Sequence, residues 1–329
     1  MPSRRSLIRG AAAVIFGSPL LAGISAATPP TDTRYQYDAG RITDAETVLT
    51  GSVSQATLRR IGLPDRATSV FAEAVSAHTS VGLADIAGLT GSLAIDGDRI
   101  VAGCVSVRGG FDRRQIHRDL EQHELSFGPI EHDEGRSPGP RDDIEAFAAE
   151  DAPYVVATDA DRVWVAYGPD EAQAVTHLEA SIGDRPQRPA TERTTNRYDS
   201  LPTYLDGESA VYAALGPGTR RHIVDGLRRH DAPEAWLRSA RAIEAIGWSL
   251  ASSGDRTRTR YGFVVNRDAS ALQTFGETLG DISDRSSFED LAIGRDGRTI
   301  VAETTLENDQ FWGAHAAFEL NSGSGKERF

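Results

Sequence analysis

Three histidines stand close together in the sequence, His117, His123 and His132, with Asp119, Glu131 and Asp133 among them. Imidazole and carboxylate are ligand types of transition-metal sites, which need several of them to converge. His117 and His123 are six residues apart, about 600° around a helix, so they do not share a face. Solvated surface residues are the better reading, and no metal is expected from this group. Aspartates recur at short turns: Asp96 and Asp98, Asp159 and Asp161, and Asp296. Such carboxylates suit a hard cation, but none follows the spacing of an EF-hand loop. Turn chemistry on an acidic surface accounts for them, with calcium the lesser alternative. Arg220-Arg221-His222 and Arg228-Arg229-His230 place a basic stretch on one predicted helix, residues 221 and 228 on one face. Arg221 and Arg228 are therefore the candidate anion-binding pair. Against that stands pairing with the nearby carboxylates Asp225, Asp231 and Glu234, which an acidic chain favours. The single cysteine, Cys104, lies in the apolar run 100–107 and reads as a buried small hydrophobe rather than a reactive thiol.

Motifs with a defined mechanism are missing. There is no Gly-x-Ser-x-Gly elbow, no phosphate-cradling P-loop and no His-Glu-x-x-His helix. Leu215-Gly216-Pro217-Gly218-Thr219 lacks dinucleotide spacing and reads as a turn before a helix, with Thr219 as N-cap. One cysteine allows no intrachain disulfide and no cysteine metal cluster. No cofactor is expected. A two-carboxylate acid–base site needs only geometry. With 48 acidic residues to choose from, catalytic residues stay unassigned.

The elements that would position these groups follow from hydrophobic period and turn residues. Strands 92–95 and 100–107 meet across Asp96-Gly97-Asp98, followed by a helical pattern over 111–123. Strands 154–158 and 163–167 meet across Asp159-Ala160-Asp161, followed by a helix over 170–180. Strands 242–252 and 259–265 meet across Ser253-Gly254-Asp255, followed by a helix over 269–279. A fourth hairpin joins 288–293 to 299–305 at Arg295-Asp296-Gly297. Gly and Asp supply the backbone geometry that tight hairpins need. The expectation is an α+β fold of two related halves, each an antiparallel sheet of hairpins backed by helices, ferredoxin-like or similar. Its domain plan is an export signal over 1–27, an extension over 28–64, a first half over 65–182, a polar, Pro-punctuated linker over 183–206, a second half over 207–320 and a disordered tail over 321–329.

Ser3-Arg4-Arg5-Ser6-Leu7-Ile8-Arg9 has the order of a twin-arginine signal. A short apolar stretch follows, and small residues close it at Ser25-Ala26-Ala27. Cleavage is expected after Ala27, with retention as an anchor the alternative. No cysteine stands there to accept lipid. The chain carries 48 acidic and 35 basic residues, net charge -13, and its only lysine is Lys326. Arginine is weakly hydrated and pairs carboxylates through a planar fork, whereas lysine exposes a long apolar stem. An acidic, arginine-rich surface of this kind suits concentrated salt. A GC-rich genome also replaces Lys by Arg, and the two causes are compatible. Nucleic acid, which demands a basic face, is excluded as an expected partner. No segment after residue 30 is apolar enough to span a bilayer.

The run Val81-Gly82-Leu83-Ala84-Asp85-Ile86-Ala87-Gly88, the junction Gly109-Gly110-Phe111-Asp112 and the run Val163-Trp164-Val165-Ala166-Tyr167-Gly168-Pro169 follow in order. This pattern, over roughly residues 65 to 305, resembles haloarchaeal exported proteins of unknown function. More loosely it is similar to a bacterial surface-protein domain family without assigned activity. The resemblance implies a fold and an address, extracellular or at the cell surface, but no catalytic residues. The leading expectation is a non-enzymatic binding or cell-surface scaffold protein. The alternatives are a secreted hydrolase with a carboxylate-based site and a small-ligand-binding protein using the cleft between halves.

Overall fold

Segments that alternate side chains of opposite character, bounded by Gly and Asp, form strands in the computed structural model. The structure describes residues 37–62, 85–97, 99–121, 126–130, 144–183, 198, 200–229, 231–266, 273, 275–276 and 291–311. Among the described residues twelve strands lie in one antiparallel sheet. They are β1 (Thr47–Ser54), β2 (Ile86–Asp96), β3 (Arg99–Gly109), β4 (Phe127–Pro129), β5 (Glu145–Ala149) and β6 (Tyr154–Thr158). The remainder are β7 (Arg162–Tyr167), β8 (Ser209–Ala214), β9 (Ile243–Ser253), β10 (Arg256–Val265), β11 (Ala292–Asp296) and β12 (Thr299–Glu307). Their order across the sheet is β11-β12-β10-β9-β8-β1-β2-β3-β7-β6-β5-β4. The described helices are α1 (Ala39–Thr43), α2 (Gln55–Ile61), α3 (Arg113–Glu121), α4 (Glu171–Ile182), α5 (Leu201–Tyr204), α6 (Pro217–Arg229) and α7 (Glu234–Ala242). Helix and antiparallel sheet together make the fold α+β. Among the described residues no helix is long and apolar enough to cross a membrane, a statement that does not concern strands.

The hairpins β2–β3, β6–β7, β9–β10 and β11–β12 turn where the sequence places them. At the β6–β7 turn, Asp159 Oδ1 accepts from the backbone N–H groups of Asp161 (2.9 Å) and Arg162 (2.7 Å), so its carboxylate closes its own turn. Of the helix read over 269–279, only Gln273, Phe275 and Gly276 are described, and Phe275 packs against Phe263.

Two segments take a different place from the one read in the sequence. Residues 28–64, read as an extension ahead of the first half, contribute β1, which lies at the middle of the sheet. Its residues Val48 to Ser52 pair with Ala214 to Ala210 of β8, and its other edge pairs with β2. Thr50, Ser52 and Ser54 weaken the apolar alternation that marks a strand, yet Thr47 to Val53 are all buried. Hydrogen bonds make that burial tolerable: the hydroxyl of Thr50 meets Ser92 and accepts from Tyr198, both at 2.9 Å. Residues 183–206, read as a linker, end in packed structure: Tyr198, Leu201 and Leu205 are buried. They seat on β9 and β10, where Gly247 and Gly262 stand opposite each other. A Cβ at Gly247 would lie 2.8 Å from Leu205, and one at Gly262 would lie 2.6 Å from Leu201. The paired glycines leave the hollow that these leucines fill.

One face of the sheet carries Leu49, Val53, Leu89, Leu93, Val211, Ile246 and Trp248 under α2, α6 and α7. The opposite face carries smaller residues under α1, α4 and α5, including Ala94, Ala102, Cys104, Ala210 and Ala245.

Candidate functional site

Titratable side chains meet beneath α4. Asp170 caps this helix by accepting from the Gln173 N–H at 2.8 Å, and Glu171 sits at the positive end of the helix dipole. Ala174, His177 and Leu178, at helical spacing, turn onto the sheet. His177 is 0% exposed. The hydroxyl of Tyr37 hydrogen-bonds to His177 Nδ1, and the two rings meet edge-on. Burial pushes the Tyr37 phenol far up, with the neighbouring Cys104 and Asp38 adding to it, so this hydroxyl keeps its proton and donates. Nδ1 then accepts, which places the imidazole proton on Nε2. Nε2 is buried without a hydrogen-bond partner among the described residues. Desolvation lowers the His177 pKa to about 4. Cys104, on the facing strand β3, is buried as the sequence suggests, and burial pushes its thiol up to about 12 against opposing contacts from Ser181 and the Val105 carbonyl.

A second group links α3 to β5. Glu145 accepts from Arg113 at 2.7 Å and meets His117 Nε2 at 2.5 Å, while the His117 ring stands edge-on to Phe147. His117, read as solvated, is thus half-buried and paired. Its two companions in the sequence, His123 and His132, lie outside the described residues. Among the described residues no group of three His, Cys, Asp or Glu side chains is placed to hold a metal ion.

The basic face of α6 divides. Arg228 pairs with Asp225 at 3.1 Å, three residues back on the same helix, as the pairing alternative has it. Arg221 is exposed on the same side. Glu234 pairs with Arg241 of its own helix rather than with α6. Arg221 and Arg228 both stand exposed on α6, and among the described residues Arg228 is the one with a carboxylate partner given by the fold. Thr219 is not the N-cap, because α6 begins two residues earlier at Pro217. Its hydroxyl is buried, accepts from Thr47 (2.9 Å) and donates to the Gly97 carbonyl (3.0 Å). It thereby ties α6 to β1 and to the β2–β3 turn. The signal residues Arg4, Arg5 and Ala27 lie outside the described residues.

A third group was not read from the sequence. Arg260 on β10 meets both Asp206 and Glu303, and Arg258 approaches Asp206 at 3.7 Å. Nearby, the Tyr204 hydroxyl donates to Asp296, and this hydrogen bond raises the phenol pKa. The available signal was the alternation Arg256-Thr257-Arg258-Thr259-Arg260, which sets three arginines on one side of a strand. Their partners lie 43 and 54 residues away for Arg260 and are invisible to local pattern.

No family model matches the chain, and no curated protein matches it. Among solved structures, crystal form I of TP0453 is similar at 12% identity and a TM-score of 0.46, covering 83% of this chain and 94% of that one. Crystal form III gives 12% identity and a TM-score of 0.43 over the same shares. Likeness at this level leaves the site to be read from its own geometry.

Proposed function

We propose that this chain is an exported, salt-adapted protein that works as a non-enzymatic binding or cell-surface scaffold. The observation that carries the reading is the direction of the buried titrations. Desolvation moves Cys104 and His177 toward their uncharged forms, and it does the same for Tyr37, Tyr154 and Tyr261. A catalytic acid or base is tuned toward the working pH. Here a thiol at about 12 and an imidazole at about 4 are tuned away from neutrality, as packed structural groups are.

The same reading takes the fold as two related halves, ferredoxin-like or similar. From the middle of the sheet outward, one side runs β1-β2-β3-β7-β6 and then adds β5-β4, and the other runs β8-β9-β10-β12-β11. In chain order each side has an inner strand, then α2 or α6 and α7, then a hairpin whose first strand pairs antiparallel with that inner strand. This serial correspondence supports the pairing. With it goes the resemblance to haloarchaeal exported proteins and an address outside the cytoplasm.

The test uses the mature chain from residue 28 in concentrated salt, incubated with washed envelope from the producing cells and sedimented. Saturable co-sedimentation is the expected result. Hydrolysis of an ester, glycoside or peptide substrate that disappears on substituting a single carboxylate would overturn the proposal. The route is tested separately: Arg4→Lys with Arg5→Lys should leave the precursor inside the cell, and undiminished export would reject the twin-arginine signal.

A further inference from the structure

We infer that β11 is a self-pairing edge through which two copies of this chain join their sheets. The two ends of the twelve-stranded sheet differ in what they offer. At one end, Ile130 N–H donates to Ala146 (2.9 Å) and Glu150 N–H donates to the Ser126 carbonyl (3.0 Å). Backbone groups alternate in direction along a strand, so residues 126, 128 and 130 bond inward while Phe127 and Pro129 face outward. Proline has no N–H, and the outward side of β4 is therefore blunted.

At the other end, β11 has no strand paired on its outer side among the described residues. The β11–β12 turn has two residues, Gly297 and Arg298, so its flanking pair Asp296–Thr299 bonds inward. The Arg298 carbonyl, one residue away, accepts from Val265 on the opposite side, which fixes the same alternation. Ile293 and Arg295 consequently direct their N–H and C=O groups away from the sheet. All five residues of β11 are exposed, and Ile293, at 41%, is the exposed large hydrophobic residue of the described chain.

These outward groups are symmetric about Gly294, and a second copy matches them. An antiparallel two-fold pairing centred on Gly294 sets Ile293 opposite Arg295 of the other copy, twice, with two main-chain hydrogen bonds at each pair. Ala292 then faces Asp296, so no like charges stand directly opposite. The stem of each Arg295 covers the other copy's Ile293 while its Nε donates to the Gly297 carbonyl of its own exposed turn at 2.9 Å. The glycine pair sits where strands approach most closely, and nothing lies within 4 Å of a Cβ at Gly294 in the single chain. Because β4 is blunted, the joining stops at two copies instead of running on as a filament. This inference is independent of the envelope-binding proposal, since it concerns the protein alone in solution.

The experiment is sedimentation equilibrium of the mature chain in concentrated salt, from roughly micromolar to millimolar, with disulfide trapping. A monomer–dimer equilibrium is expected. Ile293→Pro removes one outward donor per copy without touching the β12 ladder, and should weaken the dimer about tenfold or more. Gly294→Cys should form an intermolecular disulfide under mild oxidation, because the facing positions lie within disulfide reach. Ala292→Cys should not, because its counterpart lies four residues further along. Cys104 is buried and does not compete. A monomer throughout that range, a dimer indifferent to Ile293→Pro, or equal trapping at positions 292 and 294 would each overturn the inference.

Discussion

At the scale of single residues, His177 has the strongest consequence. A neutral imidazole is held between α4 and the sheet, accepting from Tyr37 and excluded from water. Its pKa is about 4 in the fold against 6.5 as a free side chain. Between those values the unfolded state binds more protons than the native state. Stability from the neutral ring is therefore full above pH 6.5 and drains as pH falls toward 4. Allowing for some water penetration, the loss is of the order of 2 kcal/mol. Denaturant melts at pH 7 and near pH 4, in matched salt, should show a smaller acid loss for His177→Gln than for the parent chain. Equal losses would remove His177 as the source. Cys104 gives a companion prediction. With its thiol pushed up to about 12 and buried, it should ignore a maleimide in the native state and react on unfolding. Reaction at the same rate in both states would contradict the placement.

At the scale of elements, the segment 198–205 and the strands beneath it form one unit. A methyl group at Gly247 would meet Leu205 at 2.8 Å, Tyr212 at 2.9 Å and the Val211 carbonyl at 2.9 Å. Gly247→Ala should cost about 1–3 kcal/mol by overpacking, and Leu205→Ala about 2–5 kcal/mol by leaving a cavity. Together they should cost measurably less than their sum, because the small side chain vacates the space that the new methyl needs. Additive losses in urea melts would mean the leucine does not seat on the glycines. The same unit shows where sequence reading stopped. Hairpins were readable because Gly and Asp mark their turns locally. The seat of Leu205 was not, because its hollow comes from glycines some 40 to 60 residues away that each read as an ordinary strand residue. β1 was hidden for a related reason: its buried Thr50 hydroxyl is satisfied by Ser92 and Tyr198 and its Thr47 hydroxyl by Thr219, and only the assembled fold supplies those partners. The candidate groups divide the same way. Arg228 with Asp225 is a local helix pair and was anticipated, whereas Tyr37 reaches His177 across 140 residues.

At the scale of the whole molecule, the charge balance sets a contest that salt decides. The described ion pairs at the surface, such as Arg228 with Asp225 and Arg241 with Glu234, are more than two-fifths exposed on both sides. Pairs of this kind contribute about 0–1 kcal/mol each, and salt weakens them. Opposing them is the mutual repulsion of a chain with net charge -13. Its range shrinks from about 10 Å at 0.1 M salt to about 3 Å at 1 M. Repulsion acts between all the unpaired carboxylates, whereas each pair gains from one contact alone, so screening should favour the fold. KCl is the salt to use, because sulfate would also strengthen apolar burial by exclusion and blur the cause. The melting temperature should rise steadily between roughly 0.1 M and about 2 M KCl. A genome that merely favours arginine codons explains the lone lysine but not the acidic excess on which this rise depends. A flat or falling melting temperature would therefore reject salt adaptation and return the lone lysine to codon usage.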